Sequence, residues 1–261
     1  MPSLKPLLLG AACFLATGAA AQAATLVGLV DGKTLVTIDT ESLQVTGVAE
    51  LSGADSLVGI DLRPSNKMLY GVTPDATIVT LDHATGMATP GVTLEQNLPA
   101  GVDAIVDFNP AADKLRFMGT DGTNLRADVD SGKVTVDGSL AFEGSDMHAG
   151  ETPAIVAAAY VNSYGKPEKT AMYDIDATIV ALIQQVSPND GVLKAIGKLG
   201  IDAAESYAFD VQTDAEGTNT AWLAAGGMLY WVDLETGMAN PVGAIEGLPG
   251  TLTDITAMPA M

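Results

Sequence analysis

Asp61, Asp107, Tyr160, Asp210 and Asp254 hold one position in a repeated pattern, at spacings of 46, 53, 50 and 44 residues. If the strands that carry them line a common channel, these side chains form a ring. Carboxylates packed together without compensating bases raise one another's pKa or recruit a cation. The ring therefore reads either as a binding site, with calcium as the cation it suits, or as structural carboxylates that bond backbone amides at strand turns. A second acidic group lies in the loop Glu143 to Glu151. There Glu143, Asp146, His148 and Glu151 have the right types to ligate a divalent ion, although one His in a solvated acidic loop is the simpler reading. Arg116 and Arg126 stand out in a chain poor in cations and read as counter-ions of Asp107 or Asp128 rather than as an anion clamp. Trp222, Tyr230 and Trp231 read as packing aromatics, and His83 as a surface turn residue.

Other chemistries have no carrier in the sequence. It contains no Gly-x-Ser-x-Gly elbow, no phosphate-cradling Gly-x-x-x-x-Gly-Lys-Ser/Thr loop and no His-Glu-x-x-His pair. The 32 Asp and Glu against 12 Lys and Arg give a formal net charge of −20, which repels nucleic acid and anionic membrane surfaces. A hydrophobic fraction of 48% argues for a packed core and against disorder. The one Cys, Cys13, precludes both an internal disulfide and a thiolate cluster.

The elements that must position the ring come from a repeat. Turn signals recur at Glu41-Ser42-Leu43, Thr85-Gly86, Ser131-Gly132, Asp190-Gly191 and Thr236-Gly237. Together with the ring residues they define a unit of about 40–50 residues, the length of a propeller blade. Each unit reads as four short strands rich in Val, Ile, Thr and Leu. In the second unit these are 57–62, 68–72, 77–81 and 88–94. Residues 178–186 have helical propensity, but the repeat register assigns them to a strand. The chain enters mid-unit, with strands over 25–30, 34–38 and 44–50, and finishes with one inner-type strand over 251–258. Adding that last strand to the first three closes an all-β, five-bladed propeller of four-stranded blades. A six-bladed ring and two stacked sandwiches are the alternatives.

Residues 1–23 read as a secretory signal peptide: Lys5, the apolar run Leu7 to Ala16, and the small-x-small site Ala21-Gln22-Ala23. This divides the chain into a signal segment, 1–23, and a single domain, 24–261, located in the periplasm or outside the cell. No later run is long and apolar enough to span a bilayer.

An ordered series of motifs then carries a family likeness. It runs from Asp107-Phe108-Asn109-Pro110 through Asp113-Lys114-Leu115-Arg116, Asn124-Leu125-Arg126 and Asp128-Val129-Asp130-Ser131-Gly132. It continues through Ala157 to Ser163, Tyr173-Asp174-Ile175-Asp176 and Pro188-Asn189-Asp190-Gly191 to Leu199-Gly200-Ile201-Asp202. The chain resembles the DUF4394 family of secreted bacterial propeller-like proteins, departing from its pattern at Asp128, Ser187 and Phe117–Met118. The resemblance implies export and a propeller fold; it implies no activity, because the family is a domain of unknown function. The expected function is an exported, non-enzymatic binding or interaction module for a protein or small molecule. The alternative is a calcium-dependent, lactonase-like propeller hydrolase in which Asp61, Asp107, Asp210 and Asp254 hold the ion that polarises a carbonyl and activates water.

Overall fold

The computed structural model describes residues 24–259. The segment read as a signal peptide lies outside them. Twenty-one strands follow one another with no helix among the described residues. The first blade takes β1 (Thr25–Val30), β2 (Thr34–Asp39) and β3 (Gln44–Glu50). The second is β4 (Gly59–Arg63), β5 (Met68–Val72), β6 (Thr77–Asp82) and β7 (Met87–Thr93). The third is β8 (Ala104–Asn109), β9 (Lys114–Gly119), β10 (Asn124–Ala127) and β11 (Val134–Val136). The fourth holds β12 (Ala141–Phe142), β13 (Ile155–Tyr160), β14 (Met172–Asp176), β15 (Ala181–Ser187) and β16 (Val192–Lys198). The fifth is β17 (Tyr207–Thr213), β18 (Asn219–Ala225), β19 (Met228–Val232) and β20 (Ala239–Ala244), and the chain ends in β21 (Leu252–Ala257).

Five sheets result, and the chain is a five-bladed β-propeller. Its seam closes as the sequence predicts. β21 pairs antiparallel with β1, so the first blade runs β21-β1-β2-β3. The helical propensity of 178–186 loses to the sheet: β15 pairs with β14 and β16, because its alternating side chains are buried between blades. One departure from four strands occurs. β12 lies parallel to β16 on the outer edge of the fourth blade, where the chain crossing from the third blade is caught by Ala141 N–H to Gly191 O (2.9 Å) and Glu143 N–H to Leu193 O (2.8 Å).

Because successive residues of a strand face opposite sides, each blade offers one apolar face to the blade before it and one to the blade after it. Five apolar clusters fill the five junctions. At the rim, backbone bonds tie neighbouring blades: Ser52 N–H to Gly86 O, Glu95 N–H to Gly132 O, Ala239 N–H to Leu199 O and Val45 N–H to Glu246 O, all at 2.8–3.0 Å. The inner strands β21, β4, β8, β13 and β17 stand side by side around the axis, and these carry the ring residues.

Candidate functional site

Each inner-strand Asp reaches across a junction to a backbone amide of the next blade. Asp254 Oδ2 accepts from Ile60 N–H (2.8 Å), Asp61 Oδ2 from Phe108 N–H (2.6 Å), Asp107 Oδ1 from Tyr160 N–H (2.9 Å) and Asp210 Oδ2 from Ala257 N–H (2.5 Å). Asp61, Asp210 and Asp254 also accept the N–H of the residue that follows them. The amides thus belong to neighbouring inner strands rather than to the turns that sequence reading favoured. Such a bond contributes about 0.5–1.5 kcal/mol, and more only where the carboxylate is ionised.

Register divides the five residues. Asp61, Asp107 and Asp210 lie at one level, each facing the following blade. In the first blade that level belongs to Thr256, whose Oγ1 donates to Asp61 Oδ1 at 2.8 Å; Asp254 lies two residues earlier on the same face. In the fourth blade it belongs to Ala159, which packs against the fifth blade. Tyr160 points the other way, into the junction with the third blade, and its hydroxyl accepts from Arg116 Nε at 3.2 Å. The junction without a carboxylate is held instead by Ser163 N–H to Thr213 Oγ1 (2.8 Å) and by the Asn162–Asn219 side-chain pair.

The three carboxylates at one level converge. Asp61, Asp107 and Asp210, all buried, each present an oxygen within 4.8 Å of the others, and they are the one such group of potential metal ligands among the described residues. Burial, then like-charge repulsion, pushes Asp61 and Asp107 well above the usual carboxylate range. Burial raises Asp210 to about 6 and Asp254 to about 8, against the bonds their carboxylates accept from backbone amides. The trio lines a cavity of about 260 Å³ at one end of the channel. Thr256, Gln212, Ser163 and Thr213 add polar wall, and Phe108, Tyr164 and Met258 add apolar wall.

Sequence reading passed over several of these neighbours. Gln212 and Thr256 each sit two residues beyond a ring Asp, on the same strand face, so the period of two held the signal. Arg63, buried at the adjoining junction, forks onto Asp113 and Asp130 (2.8–2.9 Å) and stacks within 6.0 Å of the Phe108 ring, which it holds against the cavity.

The loop residues Glu143, Asp146, His148 and Glu151 are not gathered into one ligand set. Both Asp146 oxygens accept backbone amides, from His148 and Ala195 (2.8 Å each). His148 Nδ1 pairs with Glu151 Oε2 at 2.9 Å, and its ring packs on Phe142. The loop lines a separate depression on the fourth blade with Lys194 and Lys198. Arg116 and Arg126 are counter-ions as expected, but their shared partner is Asp137, at 2.6 and 2.8 Å; Asp128 pairs with Lys114, and Asp107 remains in the ring. Trp222 is buried in the junction of the fifth and first blades.

Fold and site together define a propeller whose channel is floored by carboxylates. The chain belongs to the DUF4394 family, described as a domain of unknown function, whose model matches residues 34–256. No curated protein matches it. Among solved structures, a structural genomics protein of unknown function from Bacteroides thetaiotaomicron superposes with a TM-score of 0.56 at 15% identity, over 91% of this chain and 62% of that one. An auxiliary nutrient binding protein from the same organism gives a TM-score of 0.47 at 14% identity, over 77% and 54%. A gluconolactonase from Xanthomonas campestris gives 0.49 at 14% identity, over 89% and 79%. At these identities the likeness is one of fold alone. The chain spans 62% and 54% of the length of the first two proteins. No helix among the described residues is long and apolar enough to cross a membrane.

Proposed function

We propose that this protein is an exported binding module that seats a small ligand in the channel-end cavity and does no chemistry on it. The observation that carries the reading is the cavity itself: about 260 Å³, with a carboxylate floor and a mixed wall of Phe108, Tyr164, Met258, Ser163 and Gln212. That volume lies just below the roughly 300–1,000 Å³ typical of small-molecule pockets, so the ligand is small. Several polar side chains on the wall are committed to the frame, Tyr160 to Arg116, Thr256 to Asp61 and Ser163 to Thr213, while Lys67 and Tyr164 also line it. No His or Cys is among the lining residues, which favours binding over proton-shuttling or nucleophilic catalysis. The N-terminal segment supports export.

A thermal-shift screen of small sugars, organic acids and amines tests this, run beside a turnover assay on small lactones with calcium present. The expected result is a ligand that raises Tm in the native protein, loses that effect in Tyr164→Ala, and is recovered unchanged. Lactone turnover that disappears in Asp107→Asn would replace binding with the hydrolase reading. A panel that leaves Tm unmoved, or hits indifferent to Tyr164→Ala, would remove the cavity as the ligand seat.

A further inference from the structure

All the sulfur among residues 24–259 is methionine thioether, and burial divides it sharply. Met118 and Met172 are 0% exposed and pack in the junction of the third and fourth blades. Met68, Met87, Met147 and Met238 are 46%, 54%, 84% and 55% exposed, and belong to none of the five apolar clusters. The repeat shows what their places require. Met87 and Met238 each stand five residues after the Asp of the outer turn, in the strings Thr85-Gly86-Met87-Ala88 and Thr236-Gly237-Met238-Ala239. Gln44 and Lys133 hold that place in the first and third blades, after Asp39 and Asp128, and both are exposed. Met68 opens β5 opposite Arg63; Lys114 and Asn219 take the matching place opposite Asn109 and Thr213. Three of the four thioethers thus sit where other blades carry polar side chains. The fourth, Met147, rides on the loop between β12 and β13 and is the most exposed of them.

We propose that Met68, Met87, Met147 and Met238 are sites of reversible oxidation, through which the protein consumes peroxide without loss of its fold. The Sδ lone pair attacks one oxygen of hydrogen peroxide. The S–O bond forms as the O–O bond breaks, the proton on the transferred oxygen moves to the departing one, and water leaves. The sulfide is oxidised by two electrons to a sulfoxide, and the peroxide is reduced by two. The product is polar and chiral. Water solvates it at the four exposed places, where polar side chains of other blades already stand. At Met118 or Met172 the same S–O dipole would enter an apolar junction, where Met118 Sδ already accepts from Gln185 Nε2 at 3.2 Å. No thiol competes for the oxidant among the described residues.

Graded hydrogen peroxide on the folded full chain, quenched and mapped by peptide mass spectrometry beside melting curves, tests the assignment. The four exposed residues should gain one oxygen each. Met118 and Met172 should lag by at least about tenfold, since they react only when the junction opens. Loading all four should leave Tm within about 3 °C of the untreated protein. Methionine sulfoxide reductases of both epimer specificities should return those peptides to their starting mass. The variant Met68→Leu/Met87→Leu/Met147→Leu/Met238→Leu keeps side-chain volume and folds. In it, a limiting dose that spares the half-buried Met228 and Met258 of the wild type should reach them. Oxidation of Met118 or Met172 as early as the exposed four in folded protein would overturn the proposal. So would a larger fall in Tm with only the four oxidised, or equal oxidation of Met228 and Met258 in variant and wild type.

Discussion

Asp174 and Gln185 lie side by side in the junction between the third and fourth blades, 0% and 2% exposed. Gln185 Nε2 donates to Asp174 Oδ1 and to Met118 Sδ, both at 3.2 Å, while Asp174 Oδ2 and Gln185 Oε1 have no partner. Each orphaned acceptor costs about 1–3 kcal/mol. Protonation turns Oδ2 into a donor, and Gln185 Oε1 is an unmet acceptor on the residue already bonded to Oδ1. Burial pushes Asp174 up to about 8; the Gln185 bond and Arg116 oppose this, and Asp176 adds to it. The folded state therefore holds a proton that the unfolded chain releases near pH 4. Stability falls as pH rises from about 4 to 8 and then levels off. Asp174→Asn replaces the O–H donor with an N–H donor and removes the titration. In chelator, which keeps the ring acids equivalent in both proteins, the variant should match the wild type near pH 5. At pH 8 it should be the more stable of the two by urea unfolding. A variant no more stable than the wild type at pH 8 would show that titration of Asp174 does not cost the fold stability.

At the scale of the element, four blades share one device at the turn between their two outer strands. An Asp closes the third strand and accepts amides of the turn, as Asp82 does from Ala84, Asp128 from Ser131 and Asp233 from Thr236. The residue four positions later takes a positive φ: Gly86, Gly132 and Gly237, with Leu43 (φ 58°) in the first blade. A Cβ on Gly86 would also lie 2.1 Å from Glu50 O of the preceding blade, whereas one on Gly217 (φ 84°) meets nothing within 4 Å. Gly217→Ala should cost only the backbone penalty, about 1–2 kcal/mol, and Gly86→Ala clearly more by denaturant unfolding. Equal costs would mean that the rim contact does not constrain the blade. This device made the repeat, and hence the blade count and closure, legible in the sequence. The ring was legible only to within two residues. Matching strings on Asp puts Asp254 beside Asp61 and Tyr160 beside Asp107, but strand faces alternate and pairing register decides the level. Ala159 and Thr256 hold those places and carry no acidic signal. The Glu143–Glu151 loop was read from residue type alone, and the backbone amides that occupy Asp146 have no side-chain signature.

For the whole molecule, six residues close the ring. β21 completes the first blade, places Asp254 against Ile60, sends Thr256 Oγ1 to Asp61 and offers Ala257 N–H to Asp210. It also buries Leu252 and Ile255. Those two side chains alone contribute about 3–6 kcal/mol, so ending the chain at Gly250 should lower Tm by roughly 10 °C or more. The loss should exceed that of any single staple, because two junctions and one blade open together. It also bares the ladder edge of β1, a template for pairing with another chain. A formal charge of −20 resists such pairing at low ionic strength. Added salt screens that repulsion, so the truncated protein should be monomeric by gel filtration in dilute buffer and associate as salt is raised. A peptide of residues 251–259 supplied in trans should restore Tm and suppress the association by occupying the bared edge. If the truncated chain melts within about 3 °C of the full one, the ring is held by its junction clusters alone, and the carboxylates around the channel are not what the last strand secures.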